Sequence, residues 1–315
     1  MLTSPASSEL PMGDDKASVG ASRVRPAGPL IDRLRAGPWL AVMEVHSGLS
    51  AKIAERAGFE ALWASGLAIS SLMGLRDSSE ASWSQVLTVI EWITDATALP
   101  LLVDGDSGHG NFNNARRFAI KLARCGAAGV CLEDKLFPKT NSFRGHQQPL
   151  ADVVEFSGKI AAAKDATNGH AFAVIARTEA LVSELGMTEA LTRAHAYHAA
   201  GADAILVHSK HTTGAEVIDF ARQWDADCPL IVVPTTYPDA DPTALHAAGI
   251  AAAIWANQSL RASARAMIEV CRLLQETGSP RSVTGLLASL PALFEILDYD
   301  ELDAAERRYL PASPR

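Results

Sequence analysis

Cysteine is scarce in this chain of 315 residues, and the four that are present form no pattern typical of a metal site. They are Cys125, Cys131, Cys228 and Cys271. Because none belongs to a Cys-x-x-Cys pair or has an adjacent histidine, the sequence predicts no thiol nucleophile. Their neighbours are mostly apolar, so we expect reduced thiols packed inside the fold.

The sequence also lacks the features of membrane, secreted and nucleic-acid-binding proteins. No apolar run reaches the roughly 18 residues of a membrane-spanning helix, and the N-terminus lacks the basic-then-apolar order of a secretory signal. The formal net charge is −8, and no basic patch stands out that would neutralise the phosphates of a nucleic acid. We therefore expect a cytoplasmic protein with no membrane or nucleic-acid partner.

What the chain does have is the composition of an ordinary globular protein, with 48% hydrophobic and 20% charged residues. Its length suits two average domains or one large α/β barrel. Residues 1–28 are rich in Ser, Ala, Pro, Gly and Asp without a hydrophobic period. This composition predicts a mobile N-terminal arm.

From about residue 38, short apolar runs alternate with longer amphipathic stretches. The runs are apolar throughout, as in parallel strands that are buried on both faces. They occupy residues 40–44, 61–63, 101–104, 129–133, 172–177, 204–208, 230–234 and 251–255. Several of the amphipathic stretches end in glycine just before the next run, which is typical of a helix-to-strand connection.

Eight strands with helices between them and one helix after the last predict an α/β fold, a (β/α)8 TIM-type barrel over residues 29–278. A doubly wound open sheet is the alternative, but the first strand is followed by no glycine-rich dinucleotide turn. Residues 279–315 form a helical extension in this interpretation. Its apolar residues recur at helical spacing at positions 286, 287, 290, 293, 294 and 297. We expect this extra C-terminal helix to make a subunit contact, the alternative being that it closes the barrel.

The most informative run begins at the end of the fourth predicted strand and reads Glu-Asp-Lys-Leu-Phe-Pro-Lys-Thr-Asn-Ser, residues 133–142. Carboxylates at a strand end suit a hard cation such as Mg²⁺, and the lysine, amide and hydroxyl that follow suit an anion. Asp104 and Asp106 end the third strand, so that these two acids and Glu133 are positioned to share one divalent cation. The alternative is a set of solvated acids at strand ends.

Other strand ends carry groups that bind anions. Ser65, Gly66 and Leu67 offer a hydroxyl and two backbone amides on a turn. Arg177 offers a two-pronged donor, unless it serves as a structural partner of Glu179. His208 is positioned to donate a hydrogen bond to a phosphoryl oxygen, although a buried core histidine is the commoner role for such a residue.

At this point the chain resembles the phosphoenolpyruvate mutase branch of the isocitrate lyase superfamily, from about residue 38 to the C-terminus. The resemblance rests on the pattern Glu-Asp-Lys-x5-Asn-Ser, met by Glu133, Asp134, Lys135, Asn141 and Ser142. Supporting stretches are 63–67, 76–78, 104–106, 111–117, 208–210 and 255–257. The sequence Ser-Gly-His at 107–109 departs from the Thr-Gly-Tyr or Thr-Gly-Phe that is usual in that branch.

The resemblance implies interconversion of phosphoenolpyruvate and 3-phosphonopyruvate, with Mg²⁺ or Mn²⁺, in a homo-oligomeric barrel. Asp104, Asp106 and Glu133 would hold the metal directly or through water. The implied catalytic residues are Asp77, Lys139, Asn141, Arg177 and His208. The implied substrate contacts are Trp63, Ser65, Gly66, Leu67, Asn141, Ser142, Arg177 and His208. Lys139 and Asn141 would ride a loop that closes over the substrate, and Asp77 would lie on a second mobile element.

Two other functions share this pocket. A phosphonopyruvate hydrolase, the closest alternative, would admit a water to the cavity. The hydrolase branch of the superfamily tends to carry threonine at the position of Asn141, and it lacks the stretch from Arg76 to Trp83. A non-catalytic sensor of phosphoenolpyruvate would lose the closing loop, which Lys139 and Asn141 argue against. We do not expect lyase activity. Lyases of this superfamily carry a catalytic cysteine in the loop that corresponds to residues 135–139, and this chain has no cysteine there. We also expect a dimer or tetramer, and a phosphonopyruvate decarboxylase that consumes the product.

Overall fold

A computed structural model describes residues 30–36, 38–142 and 149–310. The N-terminal arm expected over residues 1–28 lies outside the described residues. Eight parallel strands pair in sequential order, and β1 pairs with β8 to close the barrel, so the predicted fold class is confirmed. The strands are β1 Leu40–Val45, β2 Ala61–Ala64, β3 Leu101–Asp104, β4 Gly129–Glu133, β5 Ala173–Thr178, β6 Ala204–Val207, β7 Leu230–Val232 and β8 Ile250–Trp255.

Helices surround the strands. They are α1 Leu30–Ala36, α2 Gly48–Arg56, α3 Gly66–Leu72, α4 Trp83–Ala96, α5 Phe112–Arg124, α6 Val153–Ala166, α7 Met187–Ala199, α8 Ala215–Gln223, α9 Pro242–Ala247 and α10 Gln258–Thr277, followed by α11 Leu290–Ile296 and α12 Tyr299–Tyr309. Several begin at a polar residue whose side chain accepts a hydrogen bond from the first turn, as Ser82 does for α4 and Asn111 for α5. Caps of this kind fix where each helix leaves its strand-end loop.

The core has two layers, because successive side chains of a strand point to opposite faces. One buried cluster fills the barrel interior and includes Val42, Trp63, Leu102 and Ile175. A larger cluster lies between the strands and the surrounding helices. Helix α1 places Leu34 in the interior cluster. The packed interior leaves the strand ends as the place for a cavity.

The C-terminal extension differs from the single helix expected over residues 286–297. A 3-10 turn at Thr284–Leu286 precedes α11, and α12 follows it after Asp298, which has a positive φ of 63°. Pro291 at the start of α11 explains the break, since proline is favoured in the first turn of a helix and disfavoured in its interior. Periodic apolar spacing alone does not show such a break.

The cysteines are also less uniformly packed than the sequence suggests. All four lie in the described part of the chain and are free thiols. Cys131 and Cys228 are buried, whereas Cys125 is half-buried and Cys271 is exposed on α10. Within the described residues, no helix has the length and apolar character needed to cross a membrane.

Candidate active site at the carboxyl ends of the strands

A small cavity of about 60 Å³ lies where the carboxyl ends of the strands converge. Most of the residues singled out from the sequence line it: Trp63, Ser65, Leu67, Asp77, Asp104, Glu133, Lys139, Asn141, Ser142, Arg177 and His208. Val233, Thr235, Ala256 and Asn257 complete the lining. Gly66 and Asp106 are outside this lining set but directly contact Asp104. Larger grooves of about 270 and 970 Å³ lie on the outer surface, remote from these charged groups.

Asp104 and Asp106 are held side by side by backbone amides. The amide of Gly66 donates to Asp104 Oδ2 at 3.1 Å, and the amide of Asp106 donates to Asp104 Oδ1 at 3.2 Å. A Cβ atom at position 66 would lie 3.0 Å from Asp106 Oδ1 and 3.1 Å from Asp104 Oδ2, so a larger residue would require these carboxylates to shift. The Gly66 amide, expected to contact the pyruvate part of a substrate, is therefore engaged by Asp104 in this structure.

Glu133 completes the group of acids. Its Oε1 is buried without a hydrogen-bond partner among the residues that the structure describes, and its Oε2 lies 3.5 Å from Arg177 Nε. Burial raises the pKa of Glu133, and burial also raises the pKa values of Asp104 and Asp106. Carboxylates in this situation gain stability from a cation, and oxygen ligands of this kind fit Mg²⁺.

The acids do not stand as a ready-made three-ligand cage. Across residues 30–36, 38–142 and 149–310, no group of three or more His, Cys, Asp or Glu side chains is arranged to hold a metal ion. Instead, the ammonium of Lys139 lies 2.9 Å from Asp106 Oδ1. Since Mg²⁺ keeps several waters and takes one or two carboxylates directly, these acids still fit such an ion if Lys139 moves with its loop.

The segment after β4 is braced against the segment after α3. Lys139 Nζ lies 2.6 Å from Asp77 Oδ1, and Asn141 Nδ2 donates to Asp77 Oδ2 at 2.6 Å. The backbone amide of Lys139 donates to Ser79 Oγ at 3.1 Å. Burial opposes the ionisation of Asp77, but the neighbouring lysine and amide outweigh it and lower its pKa. The structure thus brings together the two elements that the sequence predicted to be mobile.

Arg177 has the structural partner that the sequence left open. Its Nε lies 2.5 Å from Glu179 Oε1, and Glu179 also contacts Lys135 Nζ at 3.2 Å and accepts from Ser142 Oγ at 2.8 Å. Burial works against the ionisation of Glu179, yet the two cations hold its pKa well below its usual range. Arg177 still lines the cavity. Glu179 and Lys135 therefore position it and Ser142, roles that sequence reasoning did not assign.

Asp134 faces away from the cavity, although it stands next to Glu133 in the motif. It accepts from the Glu179 amide at 2.8 Å, from Tyr197 Oη at 2.8 Å and from Arg193 Nη1 at 3.2 Å. Burial raises its pKa to about 6. This buried network ties the ends of β4 and β5 to α7. The spacing of Arg193 and Tyr197, four residues apart on one helix face, was the only sequence signal for it.

His208 and Ser65 occupy opposite parts of the lining. His208 is 2% exposed, and burial lowers its pKa to about 3, so the imidazole is neutral at pH 7. Ser65 Oγ accepts from the amide of Ala68 and thereby caps α3, while its hydroxyl proton remains able to donate. Trp63 is a buried part of the barrel wall.

The chain is similar in sequence to known proteins of one family. The family model for phosphoenolpyruvate phosphomutase matches residues 31–275. The phosphoenolpyruvate phosphomutase of Streptomyces hygroscopicus is 50% identical over 272 residues, which are 86% of this chain and 87% of that protein.

Solved structures show the same architecture. A phosphoenolpyruvate phosphomutase from Streptomyces platensis subsp. rosaceus superposes with a TM-score of 0.87 at 38% identity, covering 90% of this chain and 98% of that chain. A phosphonopyruvate hydrolase in complex with oxalate and Mg²⁺ superposes with a TM-score of 0.84 at 36% identity, with the same coverage of 90% and 98%.

Proposed function

Because the chain belongs to the phosphoenolpyruvate phosphomutase family, we propose that it interconverts phosphoenolpyruvate and 3-phosphonopyruvate. The observation that supports this most is that Asp104, Glu133, Arg177 and His208 line one cavity together with Lys139 and Asn141 of the loop, with Asp106 next to Asp104. Such a cavity suits a small substrate that carries both a carboxylate and a phosphoryl group.

The reaction exchanges a carbon–phosphorus bond for an oxygen–phosphorus bond without a net change in protons. Starting from phosphonopyruvate, the bond from C3 to phosphorus breaks and its electron pair stays on the pyruvate part as an enolate. The enolate oxygen then attacks the phosphoryl group, which in the meantime is metaphosphate-like. The protein must hold both fragments, stabilise their negative charge and exclude water.

We assign these tasks to the residues that line the cavity. Arg177 supplies a permanent positive charge and His208 a neutral N–H donor for the phosphoryl oxygens. Ser65 and Asn141 add a hydroxyl and an amide. Lys139 and Asn141 lie on the loop that covers the cavity, so closure of that loop keeps out the water that would otherwise capture the phosphoryl group.

Mg²⁺ is the cofactor that this donor set fits best, with Mn²⁺ as an alternative. Asp104, Asp106 and Glu133 would hold it directly or through water. When bound, the cation neutralises the acids and stabilises negative charge on the oxygens of the pyruvate part. The raised pKa values of the three carboxyl groups support this assignment, as does Glu133 Oε1, which accepts no hydrogen bond from the described residues and has Lys135 Nζ at 4.0 Å.

Phosphonopyruvate hydrolysis is the second candidate, favoured by the likeness to the solved hydrolase. It would use the same anion pocket but require room for an attacking water. Asn141, donating to Asp77 in the closed loop, favours the mutase because it helps to seal the cavity.

Phosphorus NMR of the purified protein with phosphonopyruvate and Mg²⁺ tests the proposal. A phosphoenolpyruvate signal that disappears when a chelator removes the metal is the expected result. Inorganic phosphate that appears directly, together with pyruvate, would replace the mutase by the hydrolase. A spectrum without change would refute both activities.

We also propose a homo-oligomer, a dimer or tetramer. Helix α10 has no buried residue, and Met267 and Ile268 are 59% and 69% exposed. Beside Ile268 lies the groove of about 970 Å³, which Leu286 of the C-terminal extension also lines. If a second copy of the chain covered this apolar surface of α10, the helix that follows β8, the burial would stabilise the assembly.

Two further expectations concern the setting of the enzyme. The four free thiols are stable in a reducing compartment, which supports the cytoplasm as its location. Formation of a carbon–phosphorus bond from phosphoenolpyruvate is uphill in this family, so a following enzyme, such as a phosphonopyruvate decarboxylase, must remove the product.

A further inference from the structure

Two neighbouring threonines after β7 differ in how their hydroxyls are used. Thr236 Oγ1 donates to the carbonyl of Ser209 at 2.9 Å. Thr235 Oγ1 is buried and has no hydrogen-bond partner within the described part of the chain, although its residue lines the cavity. A buried hydroxyl without a partner costs free energy, so its presence here points to a ligand.

Asn257, after β8, shows the same feature. Its residue is 7% exposed and lines the cavity, and its Oδ1 has no partner among residues 30–36, 38–142 and 149–310. Asn257 occupies the position that precedes α10, where an asparagine side chain ordinarily accepts from the first turn of the helix. Here its side chain makes no such bond within the described structure.

Glu44 caps α10 in place of Asn257. This glutamate of β1 is 1% exposed, and its Oε2 accepts from the amide of Leu260 at 3.1 Å and from Ser259 Oγ at 2.5 Å. His46 Nδ1 lies 2.6 Å from the other carboxylate oxygen and fixes its orientation. Because Glu44, which lies 215 positions before Ser259, performs the capping, the side chain of Asn257 is left available to the cavity.

The position of this pair in the ring indicates which part of the substrate it meets. Strand β7 lies beside β6, which His208 directly follows, and stands across the barrel from β3, which ends at Asp104. An anionic group bound between Thr235 and His208 therefore lies on the side of the ring opposite Asp104, the acid that ends β3. Phosphoryl oxygens accept hydrogen bonds, the Thr235 hydroxyl can donate one, and a 180° turn of the Asn257 amide presents its NH2.

We propose that Thr235 and Asn257 form an additional subsite that donates hydrogen bonds to the phosphoryl group as it moves between carbon and oxygen. This inference rests on the proposed function and adds specificity to it. Ligands that carry no acceptor oxygen at that end gain nothing from the pair. A substrate with a methyl group there leaves these polar atoms unpaired, which makes the pair select for substrates with acceptor oxygens at that end, such as those of a phosphoryl group.

Calorimetric titration with two ligands tests the subsite, each in the presence of Mg²⁺. Oxalate resembles the pyruvate part alone, whereas sulfopyruvate adds a sulfonate with three terminal oxygens. Thr235→Val and Asn257→Ala should each weaken sulfopyruvate binding by about 10- to 100-fold, the effect of losing a hydrogen bond to a charged group, and change oxalate binding less than twofold. Thr235→Ser restores the hydroxyl and should bind sulfopyruvate like the unaltered chain.

Thr236→Val is the matched control, since it removes a hydroxyl that does not face the cavity. It should keep the affinity for both ligands. An equal loss of sulfopyruvate affinity in Thr236→Val, equal losses for oxalate and sulfopyruvate, or no loss in either subsite variant would overturn the proposal. Unaltered oxalate binding shows that a variant is folded. Failure of the mutase function is separate, because the unaltered chain would then bind sulfopyruvate yet give no phosphoenolpyruvate in the NMR assay.

Discussion

Single buried side chains set the charge of the cavity. Burial lowers the pKa of His208 to about 3 and that of His109 to about 4, so both imidazoles are neutral at pH 7. Lys139 is the opposite case: burial disfavours its charge, but the surrounding carboxylates raise its pKa well above the usual range. The cavity therefore combines positive charge on Lys139 and Arg177 and a neutral donor in His208 with the acids Asp77, Asp104 and Glu133.

The lowered pKa of His208 predicts a loss of stability in acid. An unfolded histidine takes up a proton near pH 6.5, whereas the folded one resists protonation until about pH 3. Between these values the unfolded state binds more protons, so the free energy of unfolding falls as the pH falls, by at most about 1.4 kcal/mol per pH unit for this group. The raised pKa values of the buried carboxyl groups have the opposite effect on the free energy of unfolding. The contribution of His208 must therefore be measured as a difference between the unaltered chain and a variant.

Urea unfolding at pH 6, 5 and 4 measures this contribution. In His208→Asn the part of the slope that belongs to the histidine should vanish, and the stability difference between the two proteins should shift in favour of the variant as the pH falls. Parallel pH profiles would show that His208 does not remain neutral in the folded protein.

Asn141 is the residue with the clearest catalytic expectation. Asn141→Ala should lower turnover by about 100- to 1,000-fold, the effect of removing one donor to developing negative charge, and leave the affinity for the metal unchanged. Turnover is followed by phosphorus NMR and metal affinity by titration with Mn²⁺. Thr140→Ala alters an exposed side chain in the same loop and serves as control. Full activity in Asn141→Ala would exclude the proposed role of this side chain.

At this scale the sequence predicts chemistry better than contacts. Acids, Arg177 and His208 could be placed at strand ends, because barrel strands end at a common rim. Thr235 and Glu44 could not be identified as functional, since a hydroxyl after a strand and a glutamate within an apolar run have many structural uses. The role of Thr235 follows from the missing hydrogen-bond partner of its hydroxyl, and the role of Glu44 from its hydrogen bonds to the distant residues Ser259 and Leu260.

At the scale of elements, two segments control access to the cavity. The segment 135–142 is fixed on its inner side, where Lys135 Nζ donates to the carbonyl of Thr140 at 3.2 Å and contacts Glu179. On its outer side the contacts run through Asp77 to Lys139 and Asn141. Both sets of contacts are buried, but only the outer ones join this segment to a second loop, so we expect them to release as the loop opens.

Removal of the charge of Asp77 tests this division. In Asp77→Asn without ligand, the backbone amides of Phe137 and of residues 139–141 should exchange with deuterium severalfold faster, because the ion pair that stabilises the closed loop is lost. Arg76→Gln breaks only the neighbouring surface pair with Glu80 and should leave the exchange unchanged. Unchanged exchange in Asp77→Asn would show that the inner contacts alone hold the loop.

Strand positions were predictable from the sequence, and the pairing of loops was not. β3 and β4 have the bounds expected from their apolar runs, and the other strands differ by one or two residues at their ends. The contact between Asp77 and Asn141 joins residues 64 positions apart through one hydrogen bond, and no periodic pattern encodes it. The break before α11 was not predicted for a similarly local reason, the placement of Pro291 in the first turn of that helix.

The molecule as a whole leaves one side of its ring of helices uncovered. Helices α2 to α9 bury apolar residues against the barrel, whereas α10 buries none. Closure of the barrel was predictable, because eight alternating units leave few other arrangements. The partner of the uncovered helix was not, since the same apolar spacing serves a core contact and a contact between subunits.

The proposed subunit contact predicts the effect of one charge on α10. Ile268→Glu should shift the protein to a smaller species in analytical ultracentrifugation, since a buried unpaired carboxylate opposes association. Val154→Glu is the matched control, because Val154 is 79% exposed on α6, away from this surface. A monomeric unaltered chain, or an oligomer that Ile268→Glu leaves intact, would contradict the proposed interface.

The closure of the ring between β1 and β8 also governs when the protein becomes competent during its synthesis. Glu44 emerges early from the ribosome, but Ser259, in the first turn of the helix that it caps, follows 215 positions later, and β8 must be made before β1 gains its second neighbour. Nascent chains up to that point have an open sheet edge and an incomplete cavity. Fragments that end before β8 therefore lack the complete cavity and neither bind nor convert the substrate.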